Sequence, residues 1–230
     1  MSRTVLVIKH VPWEGPGRIA HSLAADGLAM HTRTLVGQHD PAMPDLDRYA
    51  GVVLLGGPMR ATDTATHPAL AVERDLARDA VERDIPVLGI CLGHQLLALA
   101  LGAQLEPDAA DEFGVAPVAP EGDGIVGVDG PLRVLHWHND NASLPPGARL
   151  LASTPKCTNQ AFRLGSALGL QFHLEVDPEM LERWFRVASV RAEFPGSPGA
   201  ALTAMRRADA RMAIAADAVF GQFARRVAES

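Results

Sequence analysis

The sequence predicts an α/β fold: a central, mostly parallel open sheet with helices on both faces and a smaller antiparallel portion. Three observations predict it. The apolar runs at residues 4–8, 51–55 and 87–90 are rich in Val, Leu and Ile and nearly unbroken, as strands buried on both faces are. Between them, residues 67–84 set Leu70, Val72, Leu76, Ala80 and Val81 at helical spacing among charges, so helix alternates with strand. The third run then passes directly into the alanine- and leucine-rich segment 92–101, a strand turning into a helix.

Taken in order, residues 4–8 open the sheet. The loop 10–17 follows, broken by Pro12, Gly15, Pro16 and Gly17, and then a helix over 18–25 that stops near Gly27. Loops at the carboxyl ends of parallel strands are where such sheets bind ligands, so Trp13 and Glu14 either wall a pocket or fold the loop over the core. A strand at 30–35 precedes a turn-rich segment, 37–44. The strand at 51–55 runs into Gly56-Gly57-Pro58, whose glycines either turn backbone N–H groups outward or make an ordinary turn. Beyond the helix at 92–101, residues 102–130 are dominated by glycine, proline and acidic residues, with short antiparallel strands expected at 112–118 and 124–128. A strand at 132–137 ends in His136-Trp137-His138-Asn139-Asp140, and three more are expected at 149–153, 160–164 and 168–172. Asp177-Pro178 has the letters of an N-cap and first-turn proline for a helix over 179–188. After Pro195, Gly196 and Pro198, a long helix is expected at 200–227. Its stripe of Leu202, Met205, Ala208, Met212, Ala216, Val219, Phe223 and Val227 covers either the sheet or a second copy of the chain, as in a homodimer.

With 230 residues, 47% of them hydrophobic, the chain is expected to form one domain, 1–230, with a core at about 4–190 and a helical extension at about 197–227. A formal net charge of −6 argues against nucleic-acid and anionic-membrane surfaces. No apolar run approaches the roughly eighteen residues of a membrane helix, and residues 4–8 are too short for a signal peptide. The two cysteines, Cys91 and Cys157, make no disulfide framework, which suits a reducing cytoplasm.

Cys91 stands on the strand-to-helix turn within Gly89-x-Cys91-x-Gly93. A turn of that kind strains the backbone at the nucleophile, and glycines on either side let strand and helix approach. The first N–H groups and the dipole of the helix favour a thiolate, and the N–H of Leu92 is placed to hold an oxyanion. Taken alone, Cys91 also fits a small buried core residue. A base and an orienting carboxylate complete a nucleophilic site, and His173 and Glu175, two apart and on the same side of a strand with Gln171, supply both types. His136 and His138 suggest a metal pair, but no third ligand is spaced with them, so no metal is expected. His94 reads as a packed helix residue and Cys157 as a structural thiol.

Together, Gly89-Ile90-Cys91-Leu92-Gly93-His94-Gln95 and Gln171-Phe172-His173-Leu174-Glu175-Val176 resemble the cysteine and histidine–glutamate motifs of the class I glutamine amidotransferase family, in particular stand-alone members similar to the GMP synthetase amidotransferase domain. Leu174 stands where many members carry proline, and Asn139 where glycine is common. Asparagine tolerates positive φ, so the turn there is expected to survive. The resemblance implies a flavodoxin-like fold, the Cys91–His173–Glu175 triad, and an oxyanion hole from the N–H groups of Gly57 and Leu92. It places Gln95, Trp137, His138, Asn139 and Asp140 around the substrate. It also implies hydrolysis of the glutamine side-chain amide through a γ-glutamyl thioester, without metal or organic cofactor, with ammonia passing to a separate synthetase chain. Two alternatives remain open: a γ-glutamyl peptidase using the same triad, and a non-catalytic regulatory protein that keeps the fold.

Overall fold

The structure is a computed structural model and describes residues 3–35, 37, 42, 44–122, 124–125 and 130–230. In chain order the strands are β1 (Thr4–Lys9), β2 (Ala29–Thr34), β3 (Gly51–Leu54), β4 (Val87–Ile90), β5 (Leu105–Glu106), β6 (Glu112–Pro120), β7 (Leu132–His138), β8 (Asn141–Ala142), β9 (Arg149–Ser153), β10 (Ala161–Leu164) and β11 (Ala167–Leu170). The helices are α1 (Arg18–Ala25), α2 (Ala69–Glu82), α3 (Leu92–Ala100), α4 (Pro178–Arg186), α5 (Ala188–Glu193) and α6 (Pro198–Glu229). Nine strands form one sheet in the order β2-β1-β3-β4-β11-β10-β9-β6-β7, and β5 pairs with β8 apart from it. The first five of that order are parallel and the remaining pairings antiparallel.

Alternation along the parallel strands divides the core. Val5, Val7, Val53, Leu55, Leu88 and Ile90 join one apolar cluster with α1, α4 and α6, while Leu6, Ile8, Val52, Leu54 and Val87 join a second with α2 and α3. A face of four or more such side chains, each stabilising by about 1.5–3 kcal/mol on burial, is what holds each helical layer to the sheet. β4 lies in the middle. Its neighbours are in register with it, Leu54 against Gly89 and Leu170 against Ile90, so β3, β4 and β11 end at one level and deliver three loops to one place.

The apolar stripe of α6 is used within the chain: Met205, Met212, Ala216, Val219, Phe223 and Val227 are buried in the first cluster, against α1, β6 and β7. Asp177 caps α4 through a 2.6 Å bond from the N–H of Met180, with Pro178 in the first turn.

Several expectations are corrected. β11 stops at Leu170, so Gln171, His173 and Glu175 lie beyond it on a bent segment and strand alternation does not set their directions. What ties that segment down is a bridge between His173 and Leu135 of β7, with the N–H of His173 donating to the Leu135 carbonyl at 2.8 Å. The expected strand at 124–128 is not formed at Gly124 and Ile125, and 126–128 lie outside the described residues, as does most of the turn-rich 37–44. The helix expected at 179–188 ends at Arg186, and α5 starts afresh at Ala188.

Candidate active site

Cys91 occupies the N-cap of α3 with φ 52° and ψ −107°, a positive φ that non-glycine residues rarely adopt. The flanking glycines show why the turn takes this sequence. A Cβ at Gly89 would lie 2.4 Å from the Gly93 carbonyl oxygen, and one at Gly93 would lie 2.1 Å from that of Leu54. Strand and helix therefore meet backbone to backbone, and the cysteine is lifted to the end of the sheet.

Its sulfur is 3.6 Å from the Trp137 carbonyl oxygen at the end of β7 and hydrogen-bonds the ring of His173. Nδ1 of that ring is 2.6 Å from Oε1 of Glu175. All three side chains are nearly enclosed, at 8%, 2% and 3% exposure, so little water competes for these bonds. Burial by itself depresses the ionisation of His173. The Glu175 carboxylate and the hydrogen bonds to Cys91 and Glu175 outweigh it and hold the imidazolium well above its ordinary range.

The loop after β1 braces this segment from behind. Gly17, at φ 46°, would carry any Cβ to within 2.0 Å of the Glu175 carbonyl oxygen, and the N–H of Arg18 donates to that oxygen at 3.0 Å. The Arg18 guanidinium donates to the carbonyls of Leu174 and Val176 and pairs with Asp209 of α6.

A cavity of about 500 Å³ opens over Cys91. Its lining includes Gly57, Leu92, Gln95, Trp137, His138, Asn139, Asp140 and His173, so the residues expected around the site come together. Among the described residues, no protein acceptor takes the N–H of Gly57 or of Leu92. Two pocket residues have other partners. The Gln95 amide donates to Gln171 Oε1 at 3.1 Å, and Asp140 accepts from Arg60 Nε at 3.0 Å and from the Asp108 N–H at 2.9 Å. Asn139 is not among the residues of positive φ, so that turn does not need the tolerance ascribed to it.

Arg60, Phe113 and Trp184 also line the cavity and carry no motif that marks them in the sequence. The Trp184 ring stands edge-on to His173 at 5.3 Å and donates from Nε1 to the Trp13 carbonyl at 3.2 Å, and Trp137 packs against Trp184 and Phe194. Glu14 brings its carboxyl against Gly56, where a Cβ would lie 2.7 Å from Glu14 Oε2 and 3.2 Å from His173 Cε1. Enclosure pushes that carboxyl up to about 7, opposed by His173 and His10 and assisted by Glu175.

The expectation that His136 and His138 lack a third ligand is corrected by Glu112, paired across the ladder with His138; the three ligand atoms lie within 4.8 Å of one another. The Gln160 amide nitrogen already occupies that space, 2.5 Å from Glu112 Oε2 and 3.5 Å from His138 Nε2, which makes the cluster a closed polar network. Burial pushes His136 down to about 4 and His94 down to about 3, so both are neutral core rings, His94 packed on Phe162. Burial likewise pushes the Cys157 thiol up to about 12, and its sulfur bonds Asn141 Oδ1 at 3.1 Å, consistent with a structural thiol.

Residues 17–185 match the family model "Glutamine amidotransferase class-I". The chain is 36% identical over 186 residues to a glutamine-hydrolyzing GMP synthase of Aeropyrum pernix, an alignment covering 76% of this chain but only 35% of that longer protein. It is 30% identical over 166 residues to a glutamine-hydrolyzing GMP synthase of Sulfolobus acidocaldarius that is one subunit of its enzyme, covering 70% of this chain and 85% of the relative. Its fold superposes on the crystal structure of a glutamine amidotransferase from Thermotoga maritima with a TM-score of 0.88 at 29% identity, covering 97% of this chain and 99% of the other. With more than half its length matched by the family model, on a fold that gathers the cysteine, histidine and glutamate motifs at one sheet edge, the chain belongs to the class I glutamine amidotransferase family.

Proposed function

We propose that the chain hydrolyses the side-chain amide of L-glutamine, and that residues 1–230 act as one unit in doing so. Cys91 attacks the amide carbon while His173 and Glu175 hold the proton inventory of the step. The tetrahedral oxyanion is held by the N–H groups of Gly57 and Leu92. His173 protonates the departing ammonia. It then deprotonates the water that cleaves the γ-glutamyl thioester, with Glu175 keeping the ring oriented. The observation that carries this reading is the buried chain of contacts from the Cys91 sulfur to the His173 ring to Glu175 Oε1, the last at 2.6 Å. Gln95, Trp137, His138, Asn139 and Asp140 are proposed to surround the substrate, and the likeness to a GMP synthase whose glutamine-hydrolyzing part is its own polypeptide supports ammonia passing to a separate synthetase chain.

A second reading is favoured by the size of the cavity. Some 500 Å³, walled by Trp13, Phe113, Trp137 and Trp184, is in the range of about 300–1,000 Å³ that holds ligands larger than an amino acid. The same thioester chemistry would then act on γ-glutamyl amides whose leaving group packs on the aromatic wall. Incubation with glutamine and, separately, with γ-glutamyl dipeptides decides between the two. Ammonia from glutamine, absent in Cys91→Ala, supports the first; free amino acid from the dipeptides at a higher kcat/KM supports the second. Equal rates in wild type and Cys91→Ala overturn both.

A further inference from the structure

Behind the proposed oxyanion donor lies a second histidine–carboxylate pair that the triad does not use. Nδ1 of His10, at the end of β1, is 2.7 Å from the Gly56 carbonyl oxygen, and its Nε2 is 2.8 Å from Oε2 of Glu73 on α2. His10 is 3% exposed and Glu73 0% exposed, and the other Glu73 oxygen has no partner, so the bond to His10 is the one that holds this buried carboxyl. A carbonyl can only accept, and so can an ionised carboxylate; the ring therefore donates from both nitrogens. Burial disfavours the imidazolium of His10, and the Glu73 charge with the two hydrogen bonds more than restores it, leaving its ionisation raised.

The consequence follows from the peptide plane. In a trans peptide the C=O of Gly56 and the N–H of Gly57 point in opposite directions, so a donor gripping the carbonyl fixes where the N–H is aimed. The peptide is boxed as well as gripped. A Cβ at Gly57 would lie 2.8 Å from His10 Cβ and 2.9 Å from Leu92 Cδ2, and one at Gly56 would meet Glu14 and His173 on the opposite side. A charged donor on the carbonyl also polarises the peptide, strengthening the N–H that faces the cavity.

We propose that His10, braced by Glu73, is the positioning residue that holds the Gly56–Gly57 peptide with its N–H turned toward Cys91. This rests on the proposed role of Gly57 as an oxyanion donor. His10→Gln loses the Nδ1 donor, His10→Asn retains an N–H near the same place, and Glu73→Gln keeps a hydrogen bond while removing the charge. On whichever substrate the wild type turns over, His10→Gln is expected to lose about 10²–10³ in kcat, the effect of removing one oxyanion donor, with KM within about threefold. His10→Asn should recover most of that loss, and Glu73→Gln should lose about tenfold. Alkylation of Cys91 by iodoacetamide creates no tetrahedral oxyanion and should proceed at the wild-type rate in all three. In ¹⁵N-glycine spectra the Gly57 amide resonance should shift or split in His10→Gln and return in His10→Asn. A Gly57 resonance unmoved in His10→Gln, or folded His10→Asn and His10→Gln proteins equally impaired, overturns the proposal. A wild type inert toward both glutamine and γ-glutamyl dipeptides overturns the functional reading instead, and the Gly57 resonance still judges the peptide clamp.

Discussion

Replacing Glu14 by glutamine removes a carboxyl whose ionisation the fold opposes. Enclosure against Gly56 is the main cause, and Glu175 adds to it, so the group moves from 4.5 to about 7 despite His173 and His10 nearby. A proton is then held more tightly in the folded protein than in the unfolded chain. The stability associated with Glu14 is complete below pH 4.5, falls as the pH rises, and is lost once the pH passes 7. At about 1.36 kcal/mol for each pH unit, the interval from 4.5 to about 7 is worth about 3.4 kcal/mol, of which about 2.5 develops between pH 5 and pH 8. The residue is partly exposed at the cavity rim, where water screens the penalty, so about 2 kcal/mol is the figure to test. Glu14→Gln keeps the shape and cannot ionise, so it should match the wild type at pH 5 and exceed it by about 2 kcal/mol at pH 8. With a urea m-value of about 2 kcal/mol per molar, the variant's midpoint should gain about 1 M between the two pH values. Parallel wild-type and variant midpoints from pH 5 to 8, or a gap that opens toward acid, would refute this account of the Glu14 environment.

Glu175→Gln should lower kcat by about 10²–10⁴ with little change in the urea midpoint, because His173 keeps a hydrogen-bond partner but loses the charge that supports its imidazolium; steady-state kinetics and unfolding on one preparation check both halves. At pH 7 iodoacetamide should modify one thiol per chain, and mass spectrometry should place it on Cys91 and leave Cys157 untouched, since burial holds that thiol at about 12.

The parallel strands and the elbow are legible in the sequence because each is a local statement. Unbroken apolar runs mark strands covered on both faces, and glycines two residues either side of a cysteine mark a strand and helix in backbone contact, which Gly89 and Gly93 bear out. The His173–Glu175 pairing is legible too, but for a reason that does not hold. Alternation along a strand suggests it, yet β11 ends at Leu170, and what orients the two side chains is the bridge to Leu135 together with Arg18 gripping the carbonyls around Leu174. No local pattern announces such support. Glu112 escapes notice beside His136 and His138 for the same reason: it arrives across an antiparallel ladder whose register no turn signal fixes. Arg60, Phe113 and Trp184 reach the cavity from three separate elements and are invisible until those elements are packed.

Two histidine–carboxylate pairs flank the same strand ends, and their surroundings divide the work between them. His173 and Glu175 face the cavity, and the imidazole's second nitrogen is free to meet the sulfur and to exchange a proton with it. His10 and Glu73 sit one layer below and do not line the cavity; both ring nitrogens are committed to fixed acceptors, so that imidazole cannot deliver a proton without abandoning the peptide it holds. A group that shuttles protons must leave one partner open, whereas a group that aims a dipole gains by closing every bond it has. The register of β3, β4 and β11 brings both arrangements to one edge of the sheet: the elbow lifts Cys91 toward the first pair, and the glycines after β3 pass between the two. Gly56 and Gly57 are therefore constrained from both sides. A side chain at either one would strike the base on one face or the clamp on the other, a stricter demand than the flexibility for which glycine is usually chosen.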